Sequence, residues 1–275
     1  MDLTWGLFAA VVALALVCQY IAVALGIGYG TAMTPLLIII GFAPLQIVPA
    51  VLLSQLAGGI GGGIAHHRAG NIHLDFRRDD ELIKQRLRGL GYLPRSIDAK
   101  VVLALVALGV IGVLIGVFTA VQISPFALEV YIGVLVLLIG IIVLLQRGRK
   151  TPFSWKSIFA VGIIGAFNKG MTGGGYVPLV TGGQIIGGRE AKSSVGSTPV
   201  SIAVLCAVGF LGYLLAEGVS IDWKLAGAAC IGAVAVAPFA ALTTKKVKTE
   251  KLTIAIGLAT ILLGALTLLK VFVLP

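Results

Sequence analysis

Charge is scarce in this chain, and acidic charge is scarcest. Of 275 residues, 11 are Asp or Glu and 21 are Lys or Arg; charged residues total 12%, far below the roughly 25% of soluble domains. Hydrophobic residues make up 58% and the mean hydropathy is +1.06, which excludes an ordinary soluble domain. Cysteine is sparse as well. Cys18, Cys206 and Cys230 lie far apart inside apolar runs and lack the C-x-x-C or Cys/His spacing of redox and zinc sites, so they are expected to be buried and structural. There is no H-E-x-x-H, no G-x-S-x-G and no pair of carboxylates within an apolar run, which argues against an enzyme and against a bound metal or cofactor. None of the apolar runs alternates with a period of two, so barrel strands are excluded.

What is present is long apolar runs. Residues 3–25, 45–65, 100–123, 126–146, 190–216, 222–243 and 252–274 each approach or exceed the roughly 20 residues that a helix needs to cross a bilayer core of about 30 Å. The fold expected is all-α and polytopic, with the lipid bilayer as a partner and the first run read as a retained helix. Two shorter pieces, 28–41 and 155–186, are interrupted by glycine and proline.

The formal net charge of +10 could point to nucleic acid, but the basic residues bunch between the apolar runs, at 67–100, 147–156 and 245–251. Short Lys/Arg-rich loops stay cytoplasmic, so the charge reads as a topology signal, with no nucleic-acid partner. Connections near 122–129 and 217–222 carry acids and almost no base, placing them and both termini outside. Within 67–100 the stretch "DDELIKQRLRGL" has the spacing of a short surface helix.

Two halves follow, 1–150 and 151–275, each an apolar helix, a glycine cluster with proline, and then a full-length helix. Similar order in opposite orientation marks an inverted-topology repeat, each half holding a broken or re-entrant hairpin followed by three transmembrane helices. Setting Pro35 on Pro178 places Gly30 opposite Gly173, and the second half then needs about three extra residues around "TGGQ" before Ser54 and Ser201 correspond.

Backbone that is not helical at membrane depth survives only where protein or a water-filled cavity covers it. The segment "NKGMTGGGYVP" therefore implies a cavity. A new half-helix starting near Tyr176 or Pro178, and its counterpart at Pro35 after Gly28 and Gly30, would aim free N–H groups at one spot and attract an anion. Lys169 lies ~14 residues beyond Trp155, about 20 Å into the membrane, where a cation needs water, a partner or a ligand. Its neighbourhood in sequence holds no acid, so a small anionic ligand is the expected counter-charge, the alternative being a tilted helix that brings Lys169 to the outer interface. The candidate substrate-binding residues are Gly28, Gly30, Thr31, Ser54, Gln55, Asn168, Lys169, Thr172, Gly173, Gly174, Gly175, Ser197 and Thr198. Gly58 to Gly63 read as a close helix contact or hinge, and His66 and His67 as interfacial. An anion channel, a membrane-embedded enzyme using these histidines or a serine, and a permease subunit are the competing readings.

The paired segments "GIGYGTAMTPLL" and "GMTGGGYVPLV", each followed by a helix with small polar residues ("PAVLLSQ" and "VGSTPVS"), resemble the sulfite exporter TauE/SafE family of anion transporters over almost the whole chain. The resemblance implies a secondary transporter that carries sulfite, sulfoacetate or related anions across the bacterial inner membrane. Related thiosulfate-uptake proteins rely on pore cysteines; here no cysteine falls in the glycine motifs.

Overall fold

The computed structural model describes residues 4–25, 28–68, 76–77, 93–94, 96–145, 154–189, 191–243 and 249–273. Ten α-helices occupy most of them: α1 (Trp5–Leu25), α2 (Tyr29–Ile40), α3 (Pro44–Arg68), α4 (Ile97–Gln122), α5 (Pro125–Leu145), α6 (Trp155–Thr172), α7 (Tyr176–Ile186), α8 (Ala191–Leu215), α9 (Trp223–Thr243) and α10 (Thr249–Val273). A two-residue antiparallel ladder, Phe76–Arg77 with Leu93–Pro94, joins two points of the α3–α4 connection. The surface helix expected at "DDELIKQRLRGL" lies outside the described residues.

Windows in α1, α3, α4, α5 and α8 are long and apolar enough to cross a membrane. Apolar side chains also cover the outside of the bundle: Ile111, Phe118, Leu211, Leu258 and Leu262 are all more than half exposed. In water such a surface would aggregate; in lipid it is matched. The chain is a multi-pass, all-helical membrane protein.

Small residues set the helix contacts. Along α4, Gly112 and Gly116 face α6, where a Cβ on Gly112 would come within 2.7 Å of the Ile163 carbonyl oxygen, and Gly109 faces Leu205 of α8 beside Ala166 of α6. This is the small-residue seam by which membrane helices approach closely without a hydrophobic force between them. The glycine run in α3 does the same against α8: Gly59 faces Ala203 and the Pro199 carbonyl, and Gly63 faces Val200. Helix α3 continues unbroken through it, so of the two roles expected for this run, close contact is the one seen.

The two broken segments become hairpins. Helices α6 and α7 fold back on each other, their open end closed by the Ser154 amide donating to the Gly187 carbonyl at 3.0 Å and Ser157 Oγ donating to the Gly183 carbonyl at 3.3 Å. Helices α2 and α7 leave a shared meeting point for opposite ends of the bundle. Lys270, in the last turn of α10, donates to the Ile38 carbonyl near the end of α2. That end also holds the start of α5, since Phe126 and Phe272 stack edge to face at 5.7 Å, and α4 runs into α5 through a short turn. The start of α4 is therefore at the other end, about 39 Å away for 26 residues, and it is there that Arg189, just after α7, pairs with Asp98.

Helix packing also repeats: α1 packs on α9 as α6 packs on α4, while α5 with α10 and α3 with α8 pair across the halves. Gly28 and Gly175, both at positive φ, precede tyrosines that open α2 and α7; Gly41 and Gly188, again at positive φ, follow the same two helices. Tyr29 meets Ser54 and Tyr176 meets Ser201 at the same separation of 25 residues. Matching tyrosine to tyrosine thus brings Ser54 onto Ser201 with no insertion, unlike the proline alignment. Pro35 does not begin its helix. It sits inside α2, because the break is made one turn and more earlier, at Gly28 with φ 96°, a conformation that only glycine adopts without strain.

Candidate functional site

The hairpin tips meet in the middle of the bundle. Gly173 closes α6 in the left-handed region at φ 70°, and Gly175 precedes α7 at φ 78°. Gly30 and Gly174 then touch through bare backbone: a Cβ on Gly174 would lie 2.8 Å from the Gly30 carbonyl oxygen, and one on Gly30 would overlap the Gly173 carbonyl. Side chains cannot enter this crossing, which is why the sequence spends glycines on it.

Threonines stitch the tips together. The Gly175 amide donates to Thr31 Oγ1 at 3.2 Å, the Gly174 amide to Thr172 Oγ1 at 3.0 Å, and Thr34 Oγ1 to the Thr172 carbonyl at 3.0 Å. The Gly173 amide is taken by the Lys169 carbonyl at 2.9 Å. Free N–H groups were expected at the half-helix starts; in this conformation the Gly173, Gly174 and Gly175 amides are satisfied, because buried N–H groups without a ligand must find another acceptor. The amides that helix geometry leaves over are those in the first turns of α2 and α7.

Lys169, in the last turn of α6, is completely buried. Its ammonium donates to Gln55 Oε1 on α3 and to the Gly173 carbonyl, and the Cys206 thiol of α8 lies beside it. The end of α6 is a favourable place for a cation, since helix C-termini carry negative partial charge. Both acceptors are neutral, and no carboxylate among the described residues pairs with this lysine. Asn168, the preceding residue, accepts from the Tyr131 hydroxyl of α5. Tyr213 of α8 donates to the Gly170 carbonyl at 2.8 Å.

A small cavity of about 30 Å³ adjoins Gln55, lined among others by Gln19 of α1, Gly59 of α3, Val177 of α7, and Pro199 and Ile202 of α8. Val177 belongs to the first turn of α7, so the cavity sits at a helix N-terminus. The Lys169 bond uses the oxygen of the Gln55 carboxamide, which turns the amide nitrogen, a double donor, away from the ammonium.

The remaining candidates divide. Gly28, Gly30, Thr31, Gln55, Asn168, Lys169, Thr172, Gly173, Gly174 and Gly175 gather at the tips. Ser54 stands behind them, 3.2 Å from the Tyr29 hydroxyl and donating to the Val51 carbonyl at 3.0 Å. Ser197 and Thr198 belong to a second polar cluster toward the end of α7. There Arg189 donates to Gln184 Oε1, to Ser197 Oγ at 3.0 Å and to Asp98, while Gln184 Nε2 donates to Thr198 Oγ1 at 3.1 Å. They sit there because α8 carries them about one turn before Ser201, which already marks the level of Tyr176. Burial pulls the Arg189 pKa below its ordinary value, and the neighbouring Asp98 carboxylate opposes this.

Sequence reasoning missed Gln19, Tyr29, Tyr131, Tyr176 and Arg189. Arg189 had a visible signal: a cation only three residues beyond an apolar helix. Cys18 and Cys206 are buried as expected, whereas Cys230 is half-buried. His67 is exposed, and the His66 side chain lies outside the described residues.

Comparison with known proteins points the same way as these features. The chain is 25% identical over 268 residues, covering 93% of its length and 80% of the relative's, to a protein of Bacillus subtilis (strain 168) named "Probable membrane transporter protein YtnM". Residues 87–267 match the family described as "Sulfite exporter TauE/SafE". With that match spanning the second hairpin and most of the helices around it, this chain belongs to the sulfite exporter TauE/SafE family of membrane transporters.

Proposed function

We propose that the chain is a secondary transporter that exports small sulfur-containing anions, sulfite or organosulfonates such as sulfoacetate, across the bacterial inner membrane. The observation that carries this reading is Lys169: a wholly buried ammonium, held by two neutral oxygens where the hairpin tips cross, one of them on Gln55, which lines a small cavity. Removing such an ion from water costs several kcal/mol. Two neutral acceptors offset only part of that, and an arriving oxyanion supplies the rest. Charge-assisted hydrogen bonds from the ammonium and the Gln55 amide suit a compact array of anionic oxygens.

In this reading the halves 1–150 and 151–275 are an inverted-topology repeat working by alternating access. The matched tyrosine–serine pairs, the matched cap glycines and the departure of α2 and α7 toward opposite ends all support it. The basic loops put the Asp98 end in the cytoplasm and both termini outside. Lys169 and Gln55 recognise charge; Gly28, Gly30, Thr31, Asn168, Thr172, Gly173, Gly174 and Gly175 shape the tips; Ser54 acts through Tyr29, and Ser197 and Thr198 serve the inner approach with Arg189. Export needs no coupling ion, since an inside-negative potential of 100 mV favours exit of a monovalent anion by ~2.3 kcal/mol.

Purified protein in liposomes should carry labelled sulfite or sulfoacetate with saturable kinetics, and Lys169→Met should lower the flux at least about tenfold. Wild-type flux in that variant removes Lys169 from the site. Flux that never saturates, with single-channel currents, makes the protein a channel instead.

A further inference from the structure

Gln19 is the polar residue that the site so far leaves unexplained. It lies on α1, 3% exposed, among core neighbours Ala15 and Cys18. Its side chain lines the cavity beside Gln55, and its Oε1 has no hydrogen-bond partner among the described residues. A buried carbonyl oxygen left unpaired costs about 1–3 kcal/mol, so it is retained where something else completes it. The helix opposite is shaped to admit it: Gly58 of α3 faces the carboxamide, and a Cβ there would come within 2.6 Å of Gln19 Nε2.

The two glutamines offer complementary chemistry. Lys169 holds the Gln55 oxygen and so leaves the Gln55 N–H pair for an acceptor. The buried, unpaired oxygen on Gln19 asks for a donor. We infer that Gln19 is a specificity-determining contact, and that the cavity between α1, α3, α7 and α8 selects anions that carry a hydrogen-bond donor beside the oxyanion, such as a hydroxyl-bearing sulfonate. The sulfonate oxygens take the Gln55 amide, and the ligand O–H donates to Gln19 Oε1. This inference rests on the anion-transport reading and names which anions that site prefers.

The test compares 2-hydroxyethanesulfonate with ethanesulfonate, which differ by one hydroxyl, on the full-length protein in detergent by isothermal titration and thermal shift, with sulfite as a third ligand. Wild type should bind the hydroxylated sulfonate about 3- to 10-fold more tightly, the weight of one hydrogen bond. Gln19→Leu should bring that ratio to about one while keeping the affinity for ethanesulfonate. Gly58→Ala, which displaces the carboxamide without deleting it, should do the same and decides the matter if Gln19→Leu does not fold. A ratio of one in wild type, or an unchanged ratio in either folded variant, overturns the role of Gln19 and leaves anion transport standing. Failure of all three anions to bind wild type overturns the anion reading itself, and this inference with it.

Discussion

Lys169 is held by oxygens it did not need charge to attract. Its partners, Gln55 Oε1 and the Gly173 carbonyl, are dipoles, and one of them is the backbone of the tip itself. Lys169→Met therefore acts twice. Leaving these buried acceptors without a donor should cost about 1–3 kcal/mol, a fall of several degrees in Tm for a chain of this size. The rise in Tm that sulfite produces in wild type should disappear as well, because a ligand stabilises only the state it binds. A variant with lowered Tm but an intact sulfite-induced rise would make this lysine structural only. Legibility at this scale follows charge. Lys169 was readable as the lone cation deep in an apolar run, whereas Gln19 and Gln55 look alike in sequence. Only the fold turns one against a cation and leaves the other open.

At the scale of elements, the crossing of the hairpin tips is backbone on backbone. A Cβ at Gly174 meets the Gly30 carbonyl at 2.8 Å, and neither chain can retreat without pulling on the threonine bonds that fasten it. Gly174→Ala and Gly30→Ala should each destabilise by about 1–3 kcal/mol or more through overpacking, read as lower Tm and loss of monodisperse protein. Gly227→Ala in α9 is the control: nothing lies within 4 Å of its added Cβ, and its Tm should hold or rise slightly. Equal behaviour of the three variants would contradict the close crossing. The helices were legible from apolar length and the breaks from glycine. The start of α2 was misread at Pro35 because proline and glycine both punctuate a chain, and only the positive φ at Gly28 decides which one ends the break.

On the scale of the molecule, the Arg189–Asp98 pair ties the end of the second hairpin to the first half. Arg189 is 8% exposed, so Arg189→Ala, which takes the cationic partner from the Asp98 carboxylate, should cost about 3–5 kcal/mol. The double variant Arg189→Met/Asp98→Leu should recover at least half of the lost Tm, since no charge is then left unpaired; no recovery would show that the partners act separately. Potential across the membrane is the second global lever. For uncoupled movement of a monovalent anion, imposing 100 mV with a potassium diffusion potential should shift the equilibrium distribution about fiftyfold. A distribution indifferent to potential would indicate a compensating coupled ion.

Composition and apolar run length determined that this chain is helical and lives in a membrane, and the glycine-flanked lysine marked where it does something other than span lipid. They did so because hydrocarbon imposes one local rule, that backbone groups be paired within the chain, and breaches of that rule show in single residues. Which face of each helix looks inward was decided only by tertiary structure. Ile111 is 61% exposed and Val113 is wholly buried, yet both are aliphatic, since lipid and core ask for the same side chains and erase the periodicity that separates faces in water. The approach of Gln19 on α1 to Gln55 on α3 was likewise invisible in the sequence, because contact between distant segments depends on how helices pack.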